Sequence, residues 1–239
     1  MNAPHAIDLT TDWHCHLLPG IDDGPATLEE SLAIARHLAQ SGVQTVHCTP
    51  HFIKGSYEYT PAEIKRAVGR LQEELDRCDI QLELQPGMEY LLDEFFSDQL
   101  KEPLPLGNSN LLLVEAYPTL SLEHLKEHIF AIVRAGLQPL LAHPERNALL
   151  APYVAPAGWL ARLFTQKPES GPSAAMEELI NMGCLMQGNL GSLSGYYGQK
   201  VQAVARIFHQ HNLYHCFGSD SHSATQCHAT LTQDALSKF

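Results

Sequence analysis

The sequence predicts an α/β fold built on parallel strands, arranged as a sheet or a barrel. Short β-like runs alternate with amphipathic helical patterns along most of the chain, the rhythm by which parallel strands are connected. Helix-start signals follow the strands: Thr27-Leu-Glu-Glu30 and Thr60-Pro-Ala-Glu63 both read as capping boxes. Side chains of metal-ligand type recur where the predicted strands end, the face on which the βα loops of a barrel converge.

The elements follow in order. Strand one covers about 7–14, and the helix opened by Thr27 runs to about Gln40, where Gly42 stops it. Strand two is 45–49 and ends in Pro50-His51. The second capping box places Pro61 at the first helical position of a helix reaching about Arg77. Strand three is 81–84, followed by Pro86-Gly-Met-Glu89, a short helix over about 93–100 and strand four at 111–115. That last run is apolar throughout, as in a strand buried on both faces. Ser121 caps a helix that Gly136 ends, and strand five (139–142) runs into His143-Pro-Glu-Arg146. Between about 147 and 183 the pattern loosens into two helical pieces around Lys167-Pro-Glu-Ser-Gly-Pro172, an expected insertion within one domain spanning 1–239. Strand six is 184–189, a helix covers about 199–211, and strand seven is 214–217. No internal repeat is present.

Composition excludes several classes. A net charge of −12 with no basic stripe argues against a nucleic-acid partner. No apolar run approaches the ~18 residues that cross a bilayer, so no membrane insertion is expected. Residues 1–6 carry neither a charged leader nor an apolar h-region, and the six cysteines form no C-x-x-C pair. Reduced thiols and a cytoplasmic location are expected. The compositional anomaly is histidine, with 14 in 239 residues.

Sorted by position, those histidines and four carboxylates line up. His14 and His16 are two apart, so on a strand their imidazoles share a face. Asp23 follows on a Gly- and Pro-bounded loop, and His51 follows strand two. Glu89 follows strand three, Glu115 closes strand four and His143 follows strand five, while Asp220 and His222 follow strand seven. Each alone has a bland reading, and His-x-His by itself is weak. Glu115 on an apolar strand resists that reading, because a buried carboxylate without a cation is costly. Nine donors at one end of the predicted strands point to a polynuclear metal site.

Other residues read differently. One form of cysteine catalysis pairs the thiolate with an anion-binding arginine six residues on. After Cys48 that position is Lys54, and no other cysteine has arginine there. Cys15 points away from its histidine neighbours, toward core packing. His124 and His128 have the i, i+4 spacing of a zinc pair but no third ligand nearby, so they read as solvated surface. His47, His215 and His228 are candidates for orienting the ligands. Tyr196-Tyr197, in a Gly-bounded turn, sets two adjacent aromatic rings in a loop beside the predicted site.

DWHCHLLPGIDDG, TPHF, PGMEY, LLLVEAYP, LAHPERN and GSDSH, in this order, resemble the PHP (polymerase and histidinol phosphatase) superfamily. More narrowly, they are similar to the CpsB-type bacterial metal-dependent protein-tyrosine phosphatases of capsule and exopolysaccharide gene clusters. The resemblance spans about 7–223. It implies a distorted (β/α)7 TIM-like barrel holding three divalent metal ions, often manganese, although such shells also accept iron and zinc. By the same resemblance, His14, His16, Glu89 and Asp220 surround one ion. Glu89 bridges to a second ion held with Glu115 and His143, and Asp23, His51 and His222 hold the third. Arg146 matches an arginine that grips the substrate phosphate. The pattern departs where a second such arginine is usual, at Cys227.

The implied activity is hydrolysis of phosphotyrosine by a metal-bridging hydroxide. The implied partner is a phosphotyrosine-containing protein, such as the tail of a membrane tyrosine kinase in polysaccharide export. Three divalent cations against four carboxylates leave a positive site suited to a phosphate dianion. The alternatives are a small-molecule phosphatase such as histidinol-phosphate phosphatase, and an amidohydrolase-type metal hydrolase. Amidohydrolases usually want a metal-bridging lysine, and no lysine here sits at a strand end. A non-enzymatic scaffold is the remaining alternative.

Overall fold

A computed structural model describes residues 7–152 and 171–231. Strands β1 (Thr11–Cys15), β2 (Thr45–Cys48) and β4 (Glu83–Pro86) form one parallel sheet in the order β1-β2-β4. Strands β3 (His51–Phe52), β5 (Glu89–Leu91), β6 (Leu111–Glu115), β7 (Gln138–Ala142), β8 (Leu185–Asn189) and β9 (Cys216–Gly218) form a second in that order, also parallel. The two sheets are separated by a break inside two strands rather than by a change of direction. Cys48 pairs with Pro86 and His51 with Glu89, so one register is carried across Thr49-Pro50 on one side and Gly87-Met88 on the other. Pro50 has no N–H for a ladder, but its carbonyl accepts from the Glu89 N–H at 3.0 Å. The whole is a curled parallel sheet. His14 carbonyl accepts from Asp220 N–H at 2.7 Å, and His16 N–H donates to the Ser221 carbonyl at 3.2 Å, joining the first strand to the chain just past the last.

The helices start where the caps are written. Thr27 with Glu30 opens α1 (Leu28–Gln40), Thr60 with Glu63 opens α2 (Pro61–Arg77), and both boxes are reciprocal. After the short α3 (Phe96–Gln99), Ser121 caps α4 (Leu122–Arg134) and Ser173 caps α5 (Ala174–Asn181). A 3-10 turn, Pro144–Arg146, follows β7. Then come α6 (Leu190–Ser194), α7 (Gln199–Gln210) and α8 (Ala224–Thr230). Helix faces carrying Ile34, Leu38, Ile64, Leu71, Ile129 and Phe208 bury against the outward strand residues Val46, Leu112, Val114 and Met186. Each such fully buried side chain contributes about 1.5–3 kcal/mol. Inward residues form a second apolar cluster, Leu106, Leu111, Leu113, Leu140, Ala142 and Cys216. The two-residue period of β6 then sets Glu115 one step above Leu113 on that inner face.

Some boundaries differ from the sequence reading. Strand three lies at 83–86 and resumes at 89–91, because Pro86-Gly87 interrupts a strand instead of ending it. Strand one begins at Thr11; Ile7 and Leu9 pack on the core outside the ladder. Of the expected 147–183 insertion, α5 is the second helical piece; residues 153–170, with most of the proline-bounded loop, lie outside the described residues. No helix among the described residues is long and apolar enough to cross a membrane.

Candidate metal centre

The nine predicted donors converge. His14 lies on β1 and His16 just past it, with their Nε2 atoms 3.1 Å apart. The buried Glu89 carboxylate sits among them: Oε2 lies 3.2 Å from His14 Nε2, 3.4 Å from His16 Nε2 and 3.0 Å from His51 Nδ1. Its Oε1 lies 3.3 Å from His143 Nε2, which is 3.8 Å from Glu115. Asp220 Oδ1 stands 3.6 and 3.5 Å from the Nε2 atoms of His14 and His16. Asp23 Oδ1 lies 3.4 Å from His222 Nε2 and 3.7 Å from His51 Nε2. Donor atoms close enough to share one ion group as His16, Asp23, His51 and His222; as His14, His16 and Glu89; as His14, His143 and Asp220; and as His51, Glu89 and Glu115. Glu115 departs from the expectation of a buried carboxylate, since its side chain is 24% exposed toward the pocket; the fully buried acid is Glu89. His143 (φ 34°) and Asp220 (φ 51°), each just past a strand end, both hold left-handed backbone, uncommon outside glycine.

The hydrogen bonds around these rings call for a cation. Gln187 Nε2 donates to the Gly188 carbonyl, which fixes its amide and leaves Oε1 to accept from His14 Nδ1 at 2.9 Å. Asp22 Oδ2 accepts from His16 Nδ1 at 2.6 Å. In the neutral tautomer, both Nε2 atoms then carry lone pairs that face each other across 3.1 Å. Neither oxygen of Glu89 makes a hydrogen bond, despite burial. His222 follows the same logic, its Nδ1 donating to the Asp220 carbonyl and its Nε2 facing Asp23. Opposed lone pairs around an unbonded buried carboxylate are the arrangement a divalent ion resolves.

Electrostatics agree. Burial alone drives His14 toward the neutral form, yet Glu89 and Asp220 outweigh it and push its pKa up to about 9. His16 is raised well above the usual range: burial opposes, but its bond to Asp22 and the nearby Asp220 and Glu89 carboxylates prevail. Burial and the neighbouring Glu89 charge raise Glu115. The His222 contact holds Asp23 down at about 2. The pocket thus demands positive charge, and Asp22 adds a fifth carboxylate to the four counted from sequence.

Asp22 and Gln187, the residues that orient the ligands, escaped sequence reading. The histidines proposed for that task do not perform it. His47 stacks on Trp13 at 4.6 Å in the inner cluster, where burial lowers its pKa to about 4. His215 is exposed, and His228 neighbours His37. His124 is exposed and His128 packs edge-on against Phe96. Cys15 is buried in the outer core, as expected of a residue pointing away from the ligands.

Arg146 lines the same pocket, a cavity of about 250 Å³ shared with Glu115, His143, Tyr196, Tyr197 and Gln226. Its Nη1 donates to Asp220 Oδ2 at 2.8 Å and its guanidinium lies over the Tyr197 ring at 4.7 Å. Arg146 does not pair with the adjacent Glu145, whose carboxylate is buried, accepting from Asn189 N–H and Tyr214 hydroxyl at 3.0 Å each.

A family model described as capsular polysaccharide synthesis, CpsB/CapC, matches residues 10–160 and 170–237. The chain belongs to the CpsB/CapC family. Among its relatives, tyrosine-protein phosphatase YwqE of Bacillus subtilis is 30% identical over 228 residues, covering 94% of this chain and 82% of the relative. Tyrosine-protein phosphatase CpsB of Streptococcus agalactiae is 28% identical over 220 residues, covering 89% and 82%. A solved structure from work on YwqE of Bacillus subtilis and CpsB of Streptococcus pneumoniae, described as metal-dependent tyrosine phosphatases, superposes with a TM-score of 0.77. It is 27% identical and covers 95% of this chain and 86% of that one. Histidinol phosphate phosphatase of Lactococcus lactis shares the fold at a TM-score of 0.50 and 14% identity, covering 95% and 93%.

Within this CpsB/CapC chain, Cys227 does not face the pocket. Its side chain is fully buried, with Sγ 4.0 Å from the Ile34 carbonyl of α1. The residue that α8 presents is Gln226, whose Nε2 donates to the Tyr197 hydroxyl at 3.0 Å and the Asp220 carbonyl at 2.7 Å.

Proposed function

We propose that this chain is a metal-dependent protein-tyrosine phosphatase acting in the cytoplasm on a phosphotyrosine-bearing protein, such as the tail of a membrane tyrosine kinase in capsule or exopolysaccharide export. Its curled sheet is read as a (β/α)7 barrel; the backbone bonds linking β1 to the Asp220 segment support closure. His14, His16, Glu89 and Asp220 would hold one divalent ion, Glu89, Glu115 and His143 a second, and Asp23, His51 and His222 a third, with manganese the first choice. Bound there, such ions supply Lewis acidity toward phosphoryl oxygens and lower the pKa of water.

The chain's own groups do the rest. Asp22 and Gln187 hold His16 and His14 in the tautomer that turns Nε2 inward. Asn189 and Arg146 both donate to Asp220 Oδ2, leaving Oδ1 turned toward the histidines. Arg146 would offer its fork to two phosphate oxygens, a geometry that lysine cannot supply. The observation that carries this reading is the pair of imidazole lone pairs opposed at 3.1 Å beside a fully buried carboxylate without a hydrogen bond.

The test is elemental analysis of protein purified without chelator, alongside hydrolysis of a phosphotyrosine peptide and of histidinol phosphate. More than two metals per chain, preference for the peptide, and loss of turnover in His16→Ala are expected. Preference for histidinol phosphate would replace the protein substrate by a small molecule.

A further inference from the structure

The pocket beside Arg146 has an aromatic wall. Tyr197 is held on several sides: Arg146 lies over its ring at 4.7 Å, and Gln226 donates to its hydroxyl at 3.0 Å. The ring also closes on Gly191, where a Cβ would lie 2.8 Å from Tyr197 Cε2. Tyr196 meets Tyr197 at 5.1 Å with the ring planes 88° apart, an edge-to-face corner. Tyr196 N–H donates to the Gly191 carbonyl at 2.9 Å, and Gly195 and Gly198 flank the pair with φ of 91° and 92°, a left-handed turn that glycine adopts without strain. Tyr196 is nevertheless 52% exposed, and among the described large exposed hydrophobics it is the one that lines the metal pocket.

Resting on the phosphatase reading, we infer that Tyr196 and Tyr197 are specificity-determining residues that select aryl over alkyl phosphate esters. Tyr197 fixes the plane of Arg146 for the phosphate, and Tyr196 offers its open ring to the aromatic group of the ester. The cavity of about 250 Å³ joins the two tyrosines to Arg146 and to the donor residues Asp23, His51, Asp220 and His222, so a phosphoryl group at Arg146 sets its ester group beside the Tyr196 ring. An alkyl chain at the same place would forgo the ring-on-ring contact.

The experiment is calorimetric titration of the manganese-loaded protein with phenylphosphonate and with methylphosphonate, which are not turned over. Wild type is expected to prefer the phenyl compound. Tyr196→Ala is expected to erode that preference about fivefold, the scale of one aromatic pair, and Tyr196→Phe to retain it. The phenyl-to-methyl affinity ratio is read within each variant, and the far-UV circular dichroism spectrum of Tyr196→Ala serves as the folding control. An unchanged phenyl-to-methyl ratio in Tyr196→Ala, an equal loss for both ligands, or no binding of either to wild type would overturn the inference. Failure of the phosphatase reading registers separately, as absence of phenyl phosphate hydrolysis by wild type.

Discussion

At the scale of the residue, the candidate donors could be singled out because their chemistry is carried by their type, and a histidine or acid after each of several strands forms a pattern that one residue alone does not. Asp22 and Gln187 could not, since one is the first half of an ordinary Asp-Asp-Gly loop and the other an amide within a strand. Only the ring nitrogen each one meets gives it a role. Asp22 does three things at once: Oδ2 accepts from His16 Nδ1 and from the His51 N–H at 2.9 Å, while Oδ1 accepts from Gly24 N–H at 3.0 Å. It therefore couples two ligand-bearing segments. Asp22→Ala is expected to weaken metal binding about 10–100-fold, the usual cost of losing a group that orients a ligating histidine. Competition with a chelating dye measures it, and an affinity within twofold of wild type would mean that His16 is held without Asp22.

At the scale of the element, capping boxes located α1 and α2 to within a residue, because cap chemistry is local. Strand three was misplaced, and the continuation of strand two at 51–52 missed, for the opposite reason: Pro50 and Pro86-Gly87 are local stop signals, but the register that carries pairing across them is set by the neighbouring strand. The approach of β9 to β1 is equally invisible in sequence, although it aligns the His14 and Asp220 segments. At Gly218 a Cβ would fall 2.5 Å from His14 Cβ and 2.8 Å from His14 N, both on a strand that cannot yield cheaply. Gly218→Ala should cost about 1–3 kcal/mol, as overpacking typically does. The shift in urea midpoint of the metal-free protein tests this, and a midpoint equal to wild type would show that the two strands tolerate a wider spacing.

At the scale of the molecule, the sequence disclosed a parallel α/β fold and the end of it that carries the site. How the sheet curls depends on long-range bonds that no local pattern encodes. The same curling concentrates acids and imidazoles in one place, which ties global stability to pH and metal. Without metal, His14 has its pKa raised from 6.5 to about 9 against the opposing effect of burial, chiefly by Glu89, and His16 is raised likewise. A histidine whose folded pKa is raised contributes stability that is full below the unfolded value and lost as pH rises through the folded one. Asp23, held at about 2 by His222, contributes stability above its unfolded 3.8 that is lost as pH falls toward 2. The metal-free protein should thus hold a plateau between roughly pH 4 and 6.5, then lose a few kcal/mol by pH 9. Divalent cations reverse the alkaline limb, because they take the place of those protons and bind more tightly as the imidazoles deprotonate. Thermal melts from pH 5.5 to 9, with and without added manganese, should diverge progressively above pH 6.5. A metal-free Tm that stays level or climbs across that interval would show that the imidazole cluster is not what the buried carboxylates hold in place.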